Sequence, residues 1–557
     1  MDARLRAVCD LMVEQVREQA GLHEYDGHVQ DLSPDGIRAG LAELGDVRAG
    51  CAEPDDAASS ELEDAASSDL GNTVSPELGR PAPDSGESPS SAHTPASHDT
   101  AHLHIFEKAL RTVHGDLEMH RRNPLPHLLN LDLCVYDREY APAADRDRAK
   151  RAHLAAWPDA IDASVRSLDR VNAPTARAML AAADSLTAVI PPELADTDIA
   201  VRARSAHGRL VTCLRYAAEH GDPRSALGER DLALLMGAPE GLDVSLPRLA
   251  ERADQETERL RVLLRDACHR LAPGRRPHAL VRDLVREPPP ADAVLDRARA
   301  VTTELMEFTR GRALLPYLDG EVRVGPTPPS RQDTWAMMAF AAPGEPDAPS
   351  WYHITLPGPG WRTADAAEWL AVFSPTMLPA VTAHEVVPGH FAHARCLRRA
   401  TSPVRRILQS LTFMEGWAHY GEELMVEEGF RAGDPRFAIG VCMEALIRVV
   451  RLVCAIGVHT GAMDVPEAAR RFEADTYLSG RAARSEAERA TFDPTYGRYT
   501  WGKLALRDLR GEARRRWGSA YSAARFHRAV LSLGSPPLGL LPAALAEESA
   551  FPLSRRP

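Results

Sequence analysis

Residues Thr382–His390 read T-A-H-E-V-V-P-G-H and place a carboxylate between two imidazoles. Neutral imidazoles and carboxylates are common ligands of zinc. A zinc hydrolase also needs a carboxylate beside the activated water, to take its proton and deliver it to the leaving group. His384 and Glu385 supply both types side by side. In the usual HExxH arrangement the histidines lie four apart on one helix face; here His384 and His390 lie six apart. At about 100° per residue, position i+6 sits about 120° around a regular helix, so an unbroken helix would point the two rings apart. Pro388 and Gly389 stand between them. Proline removes a backbone donor and glycine admits unusual backbone angles, so a break there predicts that His390 swings back towards His384. A bare His-Glu pair reads as incidental, and the plain alternative is a structural helix; the Pro-Gly before the second histidine makes the metal reading specific.

A third ligand, a carboxylate, is expected downstream. Phe413–Leu424 reads as a helix on which Glu415, His419 and Glu422 recur at i, i+4 and i+7, on one face. The bland reading of such a face is a solvated charged stripe. Glu415 lies 25 residues beyond His390, enough for a short turn and a returning helix.

These motifs resemble a bacterial family of zinc metallopeptidases marked by HExxPGH and EGWAxYxE, gluzincin-like and distantly similar to thimet oligopeptidase and carboxypeptidase Taq. The resemblance covers about residues 100–535 and takes in Arg448–His459 and Asp493–Lys503 as weaker motifs. It implies that His384, His390 and Glu415 bind one Zn2+, with Glu385 as general base and later general acid. Glu422 would orient a ligand from behind, with His419 beside it. Three protein ligands leave a position for water, the pattern of a catalytic site. From the family's YxxG and GxH positions, Tyr499 and His459 are the expected donors to the oxyanion. The bland readings are a buried tyrosine hydroxyl and a helix-capping histidine. This chain departs from the pattern at Ala455-Ile456, where an acidic-hydroxyl pair is usual, at Phe391 in place of a second histidine, and at His419 in place of an apolar residue. No departure removes a ligand or the base.

The elements that must hold these groups are mostly helical. From His102 to about Ala313, and again from Ala364 to about Leu533, apolar residues recur at three-to-four spacing with prolines between the runs. Near residue 320 the period changes: GEVRVG, TWAMMAFAAP and SWYHITLP read as short strands. The expected fold is therefore mainly α, a large helical metallopeptidase-like body with one small antiparallel sheet beside the active-site helices. SWYHITLP is a candidate edge for an extended substrate to pair with, and equally a simple hairpin strand. The expected divisions are an N-terminal helical segment (1–50), a linker (51–100), a helical part (101–318), a catalytic part with the sheet (319–535) and a tail (536–557).

Residues 51–100 hold eleven acidic side chains, one basic side chain and no aromatic residue; a segment so poor in apolar surface is expected to be disordered. Without this stretch the net charge of −13 falls to about −3, with no basic excess to neutralise phosphates, so no nucleic-acid partner is expected. No apolar run reaches 18 residues, so no membrane span is expected. The N-terminus carries no apolar signal core, and the eight cysteines are scattered without a CxxC, which together suit the cytoplasm. The expected function is zinc-dependent hydrolysis of a peptide or small amide substrate. The alternatives are a biosynthetic non-peptidase amide hydrolase using the same site, and a non-catalytic helical binding or scaffold protein.

Overall fold

The computed structural model describes residues 1–50, 95–328, 331, 334–358 and 360–546. The expected disorder of 51–94 lies outside the described residues, while residues 95–100 are helical and begin a long helix.

Helices α1 (Ala3–Asp10), α2 (Val13–Ala20) and α3 (Pro34–Gly50) open the chain. They bury Leu5, Val8, Val16, Ile37 and Leu44 against Leu103, Phe106 and Leu110 of α4 (Pro95–Leu110). The N-terminal segment is thus packed into the main body. Next come α5 (Ala143–Ser167), α6 (Ala173–Ser185) and α7 (Asp198–His220), which share a core around Trp157, Ile161, Met179 and Leu210. Helix α8 (Leu246–Leu271) buries Leu246, Leu249, Ala253, Leu260, Leu264 and Ala267, a stripe at helical spacing, and α9 (Val294–Gly311) leads to the sheet.

Strands β1 (Val322–Pro326), β2 (Ala336–Ala339) and β3 (Ser350–Ile354) fall on the three expected segments. Their arrangement corrects the expectation in two respects. The sheet is mixed, in the order β1-β3-β2: β3 pairs parallel to β1 and antiparallel to β2. The edge beside the site therefore belongs to β2, and β3, which carries SWYHI, is central. The cause is apolar burial. Tyr352 and Ile354 of β3 are fully buried and take the middle of the sheet, whereas β2 buries only Met338 and leaves Ala336, Met337 and Ala339 half-buried.

The remaining helices carry the chemistry. They are α10 (Leu378–Glu385), α11 (His390–Leu397), α12 (Leu411–Glu427), α13 (Arg436–Thr460), α14 (Gly480–Phe492) and α15 (Arg498–Trp517). Helices α8, α13 and α14 share one core. Helices α12 and α15 share another, which Leu538, Leu541 and Leu545 complete, so the chain is part of the core as far as residue 545. Among the described residues no single helix is long and apolar enough to cross a membrane; one bent pair, Thr363–Phe373 with Leu378–Leu397, passes on length and composition alone.

Candidate metal centre

The helix that carries His384 stops at Glu385, and His390 begins a new one. Between them the Gly389 amide donates to the Ala383 carbonyl at 3.1 Å. A Cβ on Gly389 would lie 1.7 Å from the His384 carbonyl oxygen, so only glycine fits this reversal. The break turns the two rings onto each other, with centroids 4.8 Å apart and planes at 86°. A six-residue spacing thus brings the two rings together, as a spacing of four does on an unbroken helix.

Helix α12 closes the site from the other side. The Trp417 indole N–H donates to the Pro388 carbonyl at 2.8 Å, tying α12 to the break. Glu415 Oε2 stands 3.4 Å from His384 Nε2 and 3.5 Å from His390 Nε2. A tetrahedral ion with bonds of about 2.1 Å holds its ligand atoms about 3.4 Å apart, the separation Glu415 Oε2 keeps from each ring nitrogen. The Glu415 Oε2 atom is buried and lacks a hydrogen-bond partner. A buried, orphaned carboxylate oxygen facing two imidazole nitrogens is costly unless a cation satisfies it. Among the described residues these three side chains are the group of potential ligands whose donor atoms lie within 4.8 Å of one another.

Electrostatics agree with the geometry. Burial and the Arg448 charge push the His384 imidazole down, but the neighbouring Glu415 and Glu422 carboxylates outweigh them and raise it to about 9. Burial opposes the ionisation of Glu415, yet the two imidazoles hold its carboxyl well below the usual range. The pocket is built to attract positive charge.

The face is no solvated stripe: Glu422 is 0% and His419 1% exposed, and Glu415 is partly exposed, on the cavity lining. Glu422 Oε1 lies 2.7 Å from His384 Nδ1, so the carboxylate accepts from the ring and leaves Nε2 to face Glu415. The other oxygen accepts from Arg448 Nη1 at 2.9 Å. His419 Nδ1 lies 3.4 Å from the same oxygen. Burial presses the His419 imidazole down to about 3, which keeps it neutral.

Arg448 is the residue that sequence reasoning passed over. It lies in the Arg448–His459 motif, but its role comes from the fold, which brings α13 behind α12. The available signal was an arginine pair, Arg448 and Arg451, in an otherwise apolar stretch of helix. Arg451 forms a two-pronged ion pair with Glu486 at 2.7 Å.

Tyr499 meets the site and His459 does not. Helices α12 and α15 cross at Gly416 and Gly502, where a Cβ on Gly416 would lie 2.5 Å from Gly502 Cα. That close approach brings the Tyr499 ring to 6.2 Å from the His384 ring. The Arg451 and Arg448 guanidiniums lie 5.2 and 5.8 Å from its centroid. Burial and the Glu415 charge raise the phenol above its ordinary value, so it keeps its proton to donate. His459 lies eleven residues beyond Arg448 on α13, about 16 Å further along the helix. Its Nε2 donates to the Ala490 carbonyl at 2.7 Å. It joins α13 to α14 and lies outside the cavity.

The donors open into a cavity of about 690 Å³ whose lining includes His384, Glu385, His390, Glu415 and Tyr499. Ala336–Ala339 of β2 line it too, so the edge strand runs along the same space as the donors. Glu18 and Gln19 of α2 line it as well.

Two solved structures share this architecture. A chain from Shewanella oneidensis, described as "a putative lipoprotein of unknown function", is 18% identical with a TM-score of 0.74; the match covers 98% of each chain. A second so-described lipoprotein, from Colwellia psychrerythraea, is 16% identical with a TM-score of 0.72; the match covers 98% of this chain and 99% of that one. No curated protein matches the chain. The family model described as "Bacterial protein of unknown function (DUF885)" matches residues 16–545, nearly the whole chain, and the protein belongs to that family.

Proposed function

We propose that this protein is a zinc-dependent hydrolase of peptide bonds. The observation that carries the reading is the convergence of His384, His390 and Glu415 at ligand spacing, in one cavity with Glu385 and Tyr499. A bound zinc ion would supply Lewis-acid polarisation of the carbonyl and a water acidic enough to act at neutral pH. Glu385 takes the proton of the attacking water and passes it to the leaving amine. Tyr499 donates its hydroxyl proton in a hydrogen bond to the carbonyl oxygen as negative charge builds there. Glu422, held by Arg448, fixes the His384 ring so that Nε2 faces the ion. An extended peptide pairs its backbone with the outer edge of β2, which pairs with no further strand among the described residues. The same donors and base would serve an amide in a smaller molecule; the backbone groups of β2 favour the peptide.

The test is metal analysis and hydrolysis of a mixed peptide library by the zinc-loaded protein and its Glu385→Gln variant. The variant should retain one zinc per chain and lose about 10²–10⁴-fold in turnover. Full activity in the variant would refute the base, and a wild-type protein that takes up no zinc would refute the site. The cytoplasmic location expected from the sequence stands against the description of both structural neighbours as lipoproteins. Cell fractionation with mass measurement of the mature N-terminus decides it for this chain.

A further inference from the structure

The end of α2 is built into the wall of the cavity. The carbonyls of a helix's last turn have no partners within the helix. In α2 three of them are taken by groups from distant parts of the chain, one of which, Arg138, lines the cavity. The Glu18 carbonyl accepts from Arg138 Nη1 at 2.7 Å, the Gln19 carbonyl from Gln409 Nε2 at 3.0 Å, and the Ala20 carbonyl from the Gly344 amide at 2.9 Å. The Glu18 carboxylate pairs with Arg331 at 2.5 Å, and Arg331 also lines the cavity.

Arg138 links this wall to the edge strand. Its Nη2 donates to the Phe340 carbonyl at 3.1 Å and pairs with the buried Glu345 carboxylate. Phe340 is the residue that follows β2. Just past Ala339, where a chain laid along β2 would continue, the Phe340 carbonyl is already engaged, and the arginine that holds it also holds the end of α2. The strand that remains spans four residues. At about 3.3 Å per residue that is about 13 Å of pairing edge. A cavity of about 690 Å³ also lies within the range of small-ligand sites.

We propose that the site acts on short peptides and that α2 is the stop: one free end of the substrate lies within about four residues of the bond that is cut. This rests on the hydrolase reading above and names the substrate class for it. A folded or long polypeptide cannot continue past Phe340, so it cannot place an interior bond over Glu385. The N-terminal segment, remote in sequence from the ligands, thereby sets substrate length.

The experiment uses the zinc-loaded full chain and a ladder of unstructured peptides of about 3 to 20 residues built from one repeated sequence, with cut sites read by mass spectrometry. The expected result is that kcat/KM falls at least about tenfold between the shortest and longest peptides, with every cut within about four residues of the same terminus. Interior cuts in the longest peptide, made as fast as in a hexamer and abolished by Glu385→Gln, would overturn the stop while leaving the hydrolase intact. No cutting at any length by protein that holds zinc would overturn the peptidase reading, and the stop with it. A second arm loosens the wall with Arg138→Ala and Gln409→Ala. Relative turnover of the longest peptides should rise several-fold; an unchanged ratio in folded variants would overturn the role of α2.

Discussion

Glu422→Gln isolates the support of the proposed metal ligand His384 from the ligand itself. The wild-type carboxylate does two things: Oε1 accepts a hydrogen bond from His384 Nδ1 at 2.7 Å, and Oε2 accepts one from Arg448 Nη1 at 2.9 Å. Glutamine keeps the volume and one acceptor oxygen. It can satisfy the histidine or the arginine with that oxygen, but not both with charge. Loss of a carboxylate behind a metal-bound histidine costs about 10–100-fold in metal affinity, or about 1.4–2.7 kcal/mol. The arginine adds a separate stability cost. Breaking a buried pair costs about 3–5 kcal/mol when the remaining charge is left alone. Arg448 is not left alone, because Glu444 lies 3.3 Å from its Nη2, so the loss should fall below that range. Zinc affinity is read by competition with a chromophoric chelator, and stability by thermal unfolding with and without zinc. The expected pattern is an affinity loss of at least about tenfold together with a lower melting temperature of the metal-free protein. Arg448→Met in the same assays, and the double variant, complete a cycle in which the two losses should not add. A Glu422→Gln protein that binds zinc within about threefold of wild type would refute the claim that this carboxylate aims His384.

Other substitutions probe the remaining parts. Tyr499→Phe should keep zinc and substrate affinity while lowering kcat by about 10²–10³, as expected for loss of one oxyanion donor; an unchanged kcat removes Tyr499 from the chemistry. Gly389→Ala places a methyl group onto the His384 carbonyl, so it should abolish zinc binding or prevent soluble expression; a variant with normal zinc content would show that the break can relax. The pH dependence of stability follows from buried histidines. Burial holds His127, His153, His393 and His527 at about 4, 3, 4 and 4. Their folded values lie below the unfolded value of about 6.5, so the unfolded chain binds more protons between them. Their stabilisation is fully present above about pH 6.5 and is lost as pH falls towards about 4, with a slope of about 5 kcal/mol per pH unit near pH 5. Denaturant titrations of the metal-free protein at pH 7, 6 and 5 measure this slope, and a flat profile would show that these rings are charged in the folded state.

The amino-acid sequence by itself determined the local parts of this protein. Helical periodicity and prolines marked the helices, a change of period marked the three strands, and the Pro388-Gly389 break between two histidines announced a reversal that a regular helix cannot make. Such features are legible because backbone sterics and side-chain spacing act within a few residues. The order of the strands was not legible. β3 became central because Tyr352 and Ile354 are completely buried, and that burial is supplied by distant parts of the chain. Tyr499 and His459 looked alike as motif residues, and only the crossing of α12 and α15 at paired glycines brought the tyrosine to the ligands, while α13 carried the histidine away to Ala490. The pairing of Arg448 with Glu422, and the closure of the cavity by Glu18 and Gln19, belong wholly to the tertiary structure. Both join residues far apart in the chain, and contacts of that kind are chosen by how whole helices pack, which no local pattern encodes.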